Sequence, residues 1–301
     1  MNQHSSIRSS GSLLERAAEK FDFAAALRGA ATEFPDAEAI PAPDEPKPVI
    51  ARVSPVTSSE VAAVDRVALA EAGFILPDQR PGPLAEEFRI VKRQLLLRAA
   101  GEGGAPVKNG RMILVCSANP DEGKTFCSVN LALSMSRETD LDIVLVDSDL
   151  NNPEIVKLMG IEDGPGLIDA LADPAIDIES CLTRTDIPNL SILRAGRRTD
   201  DATELLASQR TSDMIEGLLQ RSPTRIAIFD SPPALSASPA SVLAMLAGQT
   251  VMVVKADTTS EAELREALGL LDGCDHIQLL LNSVTFTPNG KRFSSYYGYG
   301  E

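Results

Sequence analysis

From Glu86 onward the chain carries six short apolar runs separated by helical patterns, and that alternation leaves few folds open to it. The runs are RMILVCSA (111–118), LDIVLVDSD (141–149), LSILRAG (190–196), RIAIFDSPP (225–233), TVMVVKAD (250–257) and IQLLLNSV (277–284). Most are continuously apolar rather than alternating, as strands buried on both faces must be. Between most of them lie helical patterns such as FCSVNLALSMSRE (126–138), TSDMIEGLLQ (211–220) and EAELREALGLL (261–271). Strands of this kind joined by helices predict an α/β domain, with a mostly parallel central sheet and helices on both faces. One more amphipathic helix, EEFRIVKRQLLLRAA (86–100), precedes the first run, and no internal repeat is evident.

The upstream residues have a different texture. SLLERAAEKFDFAAALRGA (12–30) predicts a helix with Leu13, Leu14, Ala17 and Phe21 on one face and Ser12 as its cap. Pro35 to Pro83 holds nine of the twenty prolines, the composition of an extended linker, interrupted by a short helix over 58–73. The predicted division is a helical segment 1–34, a Pro-rich linker 35–83, an α/β domain 84–285 and a tail 286–301.

Between the first run and its helix lies CSANPDEGKTF. Gly123-Lys124-Thr125 closes a Walker A loop, G-x-x-x-x-G-K-[ST], except that Ala118 replaces the first glycine. Backbone amides at a helix N-terminus cradle phosphate oxygens there; Lys124 bridges the β- and γ-phosphates of ATP, and the Thr125 hydroxyl ligates Mg²⁺. Alone, a GKT could be a helix start with a convenient glycine, but its place directly after a buried strand favours a phosphate site. A nicotinamide site is disfavoured, since no G-x-G-x-x-G stands here. Two further strand ends supply carboxylates: Asp147 and Asp149 in IVLVDSDLNNP, and Asp230 in IAIFDSPP. Strand-end aspartates also occur as mere turn residues. Three of them on a sheet with a GKT loop fit an acid that holds Mg²⁺ through water and another that accepts a proton from an attacking hydroxyl.

Composition excludes other classes. The formal charge of −15 argues against a general nucleic-acid binder, which would show a basic stripe. No stretch approaches the ~18 continuous apolar residues of a membrane span. The N-terminus does not read as a secretory signal. Four scattered cysteines without CxxC spacing suit buried thiols in a reducing compartment.

In this order the motifs resemble those of the bacterial tyrosine kinases that govern capsule and exopolysaccharide synthesis, relatives of the MinD/ParA ATPases in the P-loop superfamily. SANPDEGKT (117–125) is similar to their deviant Walker A, VLVDSDLNNP (144–153) to their Walker A′ and IFDSPP (228–233) to their Walker B. GPGLIDALAD (164–173) and ATELLASQR (202–210) also look like family segments, so the likeness covers roughly 84–301. It implies a P-loop NTPase fold, ATP and Mg²⁺ as cofactors, and an ATP-binding loop over Ala118, Asn119, Pro120, Asp121, Glu122, Gly123, Lys124, Thr125 and Phe126. Asn282 falls where the superfamily often contacts adenine. By the same likeness Lys124 and Thr125 hold phosphates and metal, Asp230 assists the metal, Asp147 activates the acceptor hydroxyl and Asp149 supports the metal shell. Glu86, Arg89 and Lys92 resemble the family's E-x-x-R-x-x-R motif for ring-like self-association, with Lys92 in place of the second arginine. Asn151 and Asn152 replace frequent arginines, and Asp121 stands where glycine is common.

The only three tyrosines, Tyr296, Tyr297 and Tyr299, all fall in the last six residues. The family ends in such a cluster, phosphorylated by a neighbouring subunit, and SSYYGYG supplies accessible acceptors beside freely moving glycines. The resemblance therefore implies a protein-tyrosine autokinase acting in trans and regulating polysaccharide polymerisation or export. It is expected in the cytoplasm at the inner membrane face, activated by a separate membrane-embedded co-polymerase. The N-terminal SLLERAAEKF is similar to kinases of exosortase-type loci. The alternative is a MinD/ParA-like ATPase acting as an assembly switch; it would want K-G-G-x-G-K where this chain has SANPDEGK, and it leaves the tail unexplained.

Overall fold

The computed structural model describes residues 61–101 and 107–284. The predicted N-terminal helix, the linker as far as residue 60 and the tyrosine tail lie outside the described residues. The elements in chain order are α1 (Arg66–Glu71), α2 (Pro83–Ala99), β1 (Met112–Ser117), α3 (Lys124–Met135), β2 (Asp142–Asp147), α4 (Ile155–Met159) and α5 (Leu167–Ala172). There follow β3 (Leu182–Arg184), β4 (Leu190–Leu193), α6 (Ala202–Leu206), α7 (Gln209–Gln220), β5 (Arg225–Asp230), α8 (Pro239–Leu246), β6 (Gln249–Lys255), α9 (Glu261–Leu270) and β7 (Ile277–Asn282).

The strands form one sheet in the order β3-β4-β2-β5-β1-β6-β7. All neighbours are parallel except β3, which runs antiparallel to β4. The six apolar runs supply the six parallel strands. The seventh strand, Leu182–Arg184, is too short and too polar to announce itself, and it needs β4 to pair with. Every residue of β1 and of β5 is buried, as a strand in the middle of a doubly covered sheet requires. One apolar cluster packs α5, α7, α8 and α9 on one face; a second packs α2, α3 and α4 on the other.

The chain leaves β1 for β2 on one side and later reaches β6 on the other, so the carboxyl end of β1 lies at the point where the winding reverses. Open α/β sheets bind ligands there.

Residues 61–83 depart from the linker expectation. Val64, Leu69, Phe74, Ile75 and Leu76 are buried within the second cluster. The Ile75 N–H donates to Asn130 Oδ1 on α3 at 2.8 Å, and the Phe74 and Phe126 rings lie 5.0 Å apart. Proline-rich composition signals an extended path, but five large apolar side chains give that path a surface to adhere to. The helix in it is shorter than the predicted 58–73, running only from Arg66 to Glu71, with Asp65 as its N-cap. Among the described residues no helix is long and apolar enough to cross a membrane.

Candidate active site

The loop between β1 and α3 is shaped by two left-handed residues. Gly123, the N-cap of α3, has φ +93°, and Asp121 has φ +61°. Glycine is required at 123 for a second reason: a Cβ there would come within 2.2 Å of Asn282 Nδ2. The amides of Gly123, Lys124 and Thr125 have no hydrogen-bond partner among the described residues. They form the free donor set of a helix N-terminus, where anions bind.

The loop is braced from behind by residues that the motif does not mention. Asn282 Nδ2 donates to the Glu122 carbonyl at 2.9 Å. Glu122 is buried, and its carboxylate accepts from the Asn119 N–H at 3.0 Å and the Thr259 hydroxyl at 2.5 Å. Lys255 Nζ donates to the Asp121 carbonyl, and Asn119 Nδ2 to Glu263. Glu122 therefore latches the loop to the end of β6 rather than facing outward. Lys255 and Thr259 could have been suspected only from their place at the end of the fifth apolar run and just past it. Asp121 points its side chain to solvent.

Three carboxylates and one ammonium meet beside this loop. Asp147 and Asp230 are register partners on the adjacent parallel strands β2 and β5. Ser148 ties the two strand ends together, its N–H and hydroxyl both donating to the Asp230 carbonyl. Lys124 Nζ lies 3.0 Å from Asp149 Oδ2. Burial alone would lower the Lys124 pKa, but the Asp230 and Asp149 charges outweigh it and hold the ammonium protonated. Ser128 on α3 lies 2.9 Å from both Asp230 Oδ1 and the Lys124 carbonyl, its single proton serving one at a time. Thr125, in the first turn of α3, is among the groups that pull the Asp230 pKa down.

The crowding shows in the acids. Burial first, and then the Asp230 charge, push Asp147 up to about 7. Burial pushes Asp230 up to about 6 against the opposing pull of Lys124, Thr125 and Ser128. Asp147 Oδ2 accepts the Ile155 N–H at 3.0 Å, while Oδ1 is buried with no hydrogen-bond partner. An orphaned carboxylate oxygen amid surplus negative charge fits a divalent cation, or a water bound to one. Among the described residues no three His, Cys, Asp or Glu side chains form a ready metal cage. That suits Mg²⁺, which keeps several waters and leans on substrate phosphates.

Other expected residues lie elsewhere. Ala118 is buried beneath the loop, Pro120 is exposed on it, and Phe126 packs on Phe74. Glu86, partly buried, and Arg89, exposed, pair at 3.0 Å on α2. Lys92 does not join them: it is buried, donating to the Ser134 carbonyl at 2.9 Å and pairing with Glu138 at 2.6 Å. The reason is helical geometry. A step of six residues turns about 600°, so position 92 sits ~120° from position 86 and follows Phe88 and Leu95 into the core.

A strand-to-helix phosphate loop, flanked by acids on two neighbouring strand ends of a mostly parallel sheet, defines a P-loop NTPase fold. No family model matches the chain, and the curated relatives that it does match are named as bacterial tyrosine-protein kinases. Over 190 residues it is 29% identical to the tyrosine-protein kinase wzc of Salmonella typhimurium, a match covering 62% of this chain. It is 25% identical over 226 residues to the putative tyrosine-protein kinase CapB of Staphylococcus aureus, covering 74% of this chain and 93% of CapB. The chain spans only about a quarter of wzc, with 26% of that relative covered. Among solved structures, the kinase domain of VpsO superposes with a TM-score of 0.57 at 28% identity, covering 67% of this chain and 95% of that one. The chimerical protein CapA2B2, at 20% identity and a TM-score of 0.60, shares the fold.

Proposed function

We propose that this protein is an ATP-dependent tyrosine kinase that phosphorylates Tyr296, Tyr297 and Tyr299 of another copy. The observation that carries the reading is the convergence of Lys124, Asp147, Asp149 and Asp230 at the free amides of Gly123–Thr125. The loop amides receive the phosphates. Lys124, held by Asp149 in the protein alone, turns to the β- and γ-oxygens, and Asn282 fixes the loop against which the nucleotide rests. Thr125 and the carboxylates of Asp147 and Asp230 would hold Mg²⁺, which would supply positive charge against that developing on the transferred group.

Asp147 accepts the tyrosine proton. Its Oδ1 is buried without a hydrogen-bond partner and so is the oxygen open to that proton. The tyrosine oxygen bonds to the γ-phosphorus, the bond to the bridging β–γ oxygen breaks, and ADP leaves. On this reading the enzyme regulates exopolysaccharide polymerisation or export. It works from the cytoplasmic membrane face through a separate membrane-embedded co-polymerase as activator, and it self-associates through Glu86 and Arg89 on α2. Lys92 contributes to that face only by holding α2 in place.

Intact-mass measurement after incubation with Mg²⁺ and ATP tests the proposal. Up to three added phosphates are expected, lost on removing residues 296–301 and absent in Lys124→Met. ATP hydrolysis without any protein labelling would instead identify a nucleotide-driven switch.

A further inference from the structure

Beyond the phosphate loop, the carboxyl edge of the sheet opens into two joined cavities. One, of about 420 Å³, is lined by Leu150, Asn151 and the stretch from Ala195 to Asp200. The other, of about 620 Å³, shares Ala195 to Arg198 and adds Lys157, Gly164 and Arg194. The first begins one residue past Asp149, the partner of Lys124.

The β4–α6 loop forming the common wall is rigidly held. Leu167 and Ile168 N–H donate to the Arg194 and Ala195 carbonyls at 2.8 and 3.0 Å. Gly196 has φ +85°, and a Cβ on Gly166 would meet the Arg194 carbonyl at 2.2 Å, so the two segments are in backbone contact. Asp169 accepts from the N–H groups of Gly166 and Arg197 and lies 3.7 Å from Arg197 Nε. That spends Asp169 on the loop itself, and leaves Asp163 and Asp200 in the cavity walls against Lys157, Arg194, Arg197 and Arg198. Arg197 and Arg198 are left exposed, and Arg198 makes no ion pair with any described residue. In a chain of formal charge −15, two guanidinium groups on a fixed wall beside a phosphoryl-transfer site form a local reversal of sign.

We propose that Arg197 and Arg198 are specificity-determining residues that select acceptor tyrosines carrying an anionic group within a few residues. The inference rests on the kinase reading above. Guanidinium groups bind phosphate and carboxylate through paired N–H donors, so the anion has two sources in this protein's own tail. One is Glu301; the other is a phosphate placed on a neighbouring tyrosine by an earlier turnover. The tail's spacing, with acceptors at 296, 297 and 299, puts every tyrosine within three residues of the others. A tail phosphorylated once is then the better substrate for its next phosphorylation.

The test uses the full chain and peptides of residues 290–301: unmodified, phosphorylated at Tyr299, and each of these with Glu301→Gln. Wild type should use the phosphorylated peptide with kcat/KM roughly tenfold above the unmodified one, the value of one charge-assisted pair. In the Arg197→Ala/Arg198→Ala protein that ratio should fall to about one. Arg197→Lys/Arg198→Lys should keep part of it. A drop caused by Glu301→Gln alone would assign the anion to the carboxylate; a gain from the phosphate alone would assign it to prior turnover. Equal use of all four peptides by wild type overturns the proposal, as does a double variant that loses ATP binding while keeping the ratio. Fluorescence anisotropy of the labelled peptides separates this from failure of the kinase reading. If no peptide is phosphorylated but the phosphopeptide binds wild type more tightly than the double variant, the arginine site stands and the kinase assignment falls.

Discussion

At Asp147, the sheet forces a carboxylate into a position it would not choose. The register of β2 against β5 sets it beside Asp230, and α4 covers it, so its ionised form is opposed both by burial and by a like charge. A carboxyl raised from 3.8 to about 7 binds its proton more tightly folded than unfolded. Between about pH 4 and pH 7 the native state therefore holds more protons, and stability falls as pH rises through that window. Above it the penalty is complete, on the order of a few kcal/mol. Asp147→Asn keeps an acceptor for the Ile155 N–H and removes the charge. Thermal melts without nucleotide should show the variant more stable than wild type at pH 8, with the difference closing toward pH 4. A constant difference across that range would show that Asp147 carries no such strain. The aspartates and the GKT were legible in the sequence because the acids close apolar runs and the GKT lies between one and its helix. Glu122 was not: only the three-dimensional approach of Thr259 reveals that its carboxylate faces inward.

Among the elements, α2 and α3 show where reading a periodic pattern succeeds and where it stops. The buried face of α2, Phe88, Lys92 and Leu95, is spaced as a core helix should be, and its one charged member is the informative one. Lys92 snorkels across the end of α3, where Ser134 presents a helix-terminal carbonyl and Glu138 a counter-charge. A motif match sees a basic residue at position 92; it does not see the rotation that carries that residue off the exposed stripe. Lys92→Met should fit the apolar surroundings but leave the Ser134 carbonyl unpaired, costing about 1–3 kcal/mol in chemical denaturation. Breaking the solvent-screened Glu86–Arg89 pair, with Arg89 exposed and Glu86 partly so, should cost only about 0–1 kcal/mol. If the two costs prove equal, Lys92 does not brace the packing of α2 on α3. The missed strand β3 has a similar lesson. Three residues carry too little pattern to be read, and their pairing depends on a β4 that lies on the far side of a turn.

Across the whole molecule, the site depends on a wall that begins well before the P-loop in sequence. The segment from Val64 to Leu76 packs on the same cluster as α3, so the helix that starts with Lys124 and Thr125 is clamped between the sheet and this strap. Proline content pointed to a linker, because composition reports the unfolded preferences of a segment and not the surface that it can bury. Burial of Phe74 against Phe126, one residue past Thr125, gives the strap a direct hold on the first turn of α3. If the strap belongs to one cooperative unit with the sheet, weakening it must destabilise everything at once. Phe74→Ala should then lower the free energy of unfolding by about 3 kcal/mol, shifting a single transition without changing its slope. Circular dichroism of the sheet and a fluorophore placed at residue 61 should report the same midpoint. An early, separate transition at residue 61, with the sheet's midpoint unmoved by the substitution, would show the strap to be an independent appendage.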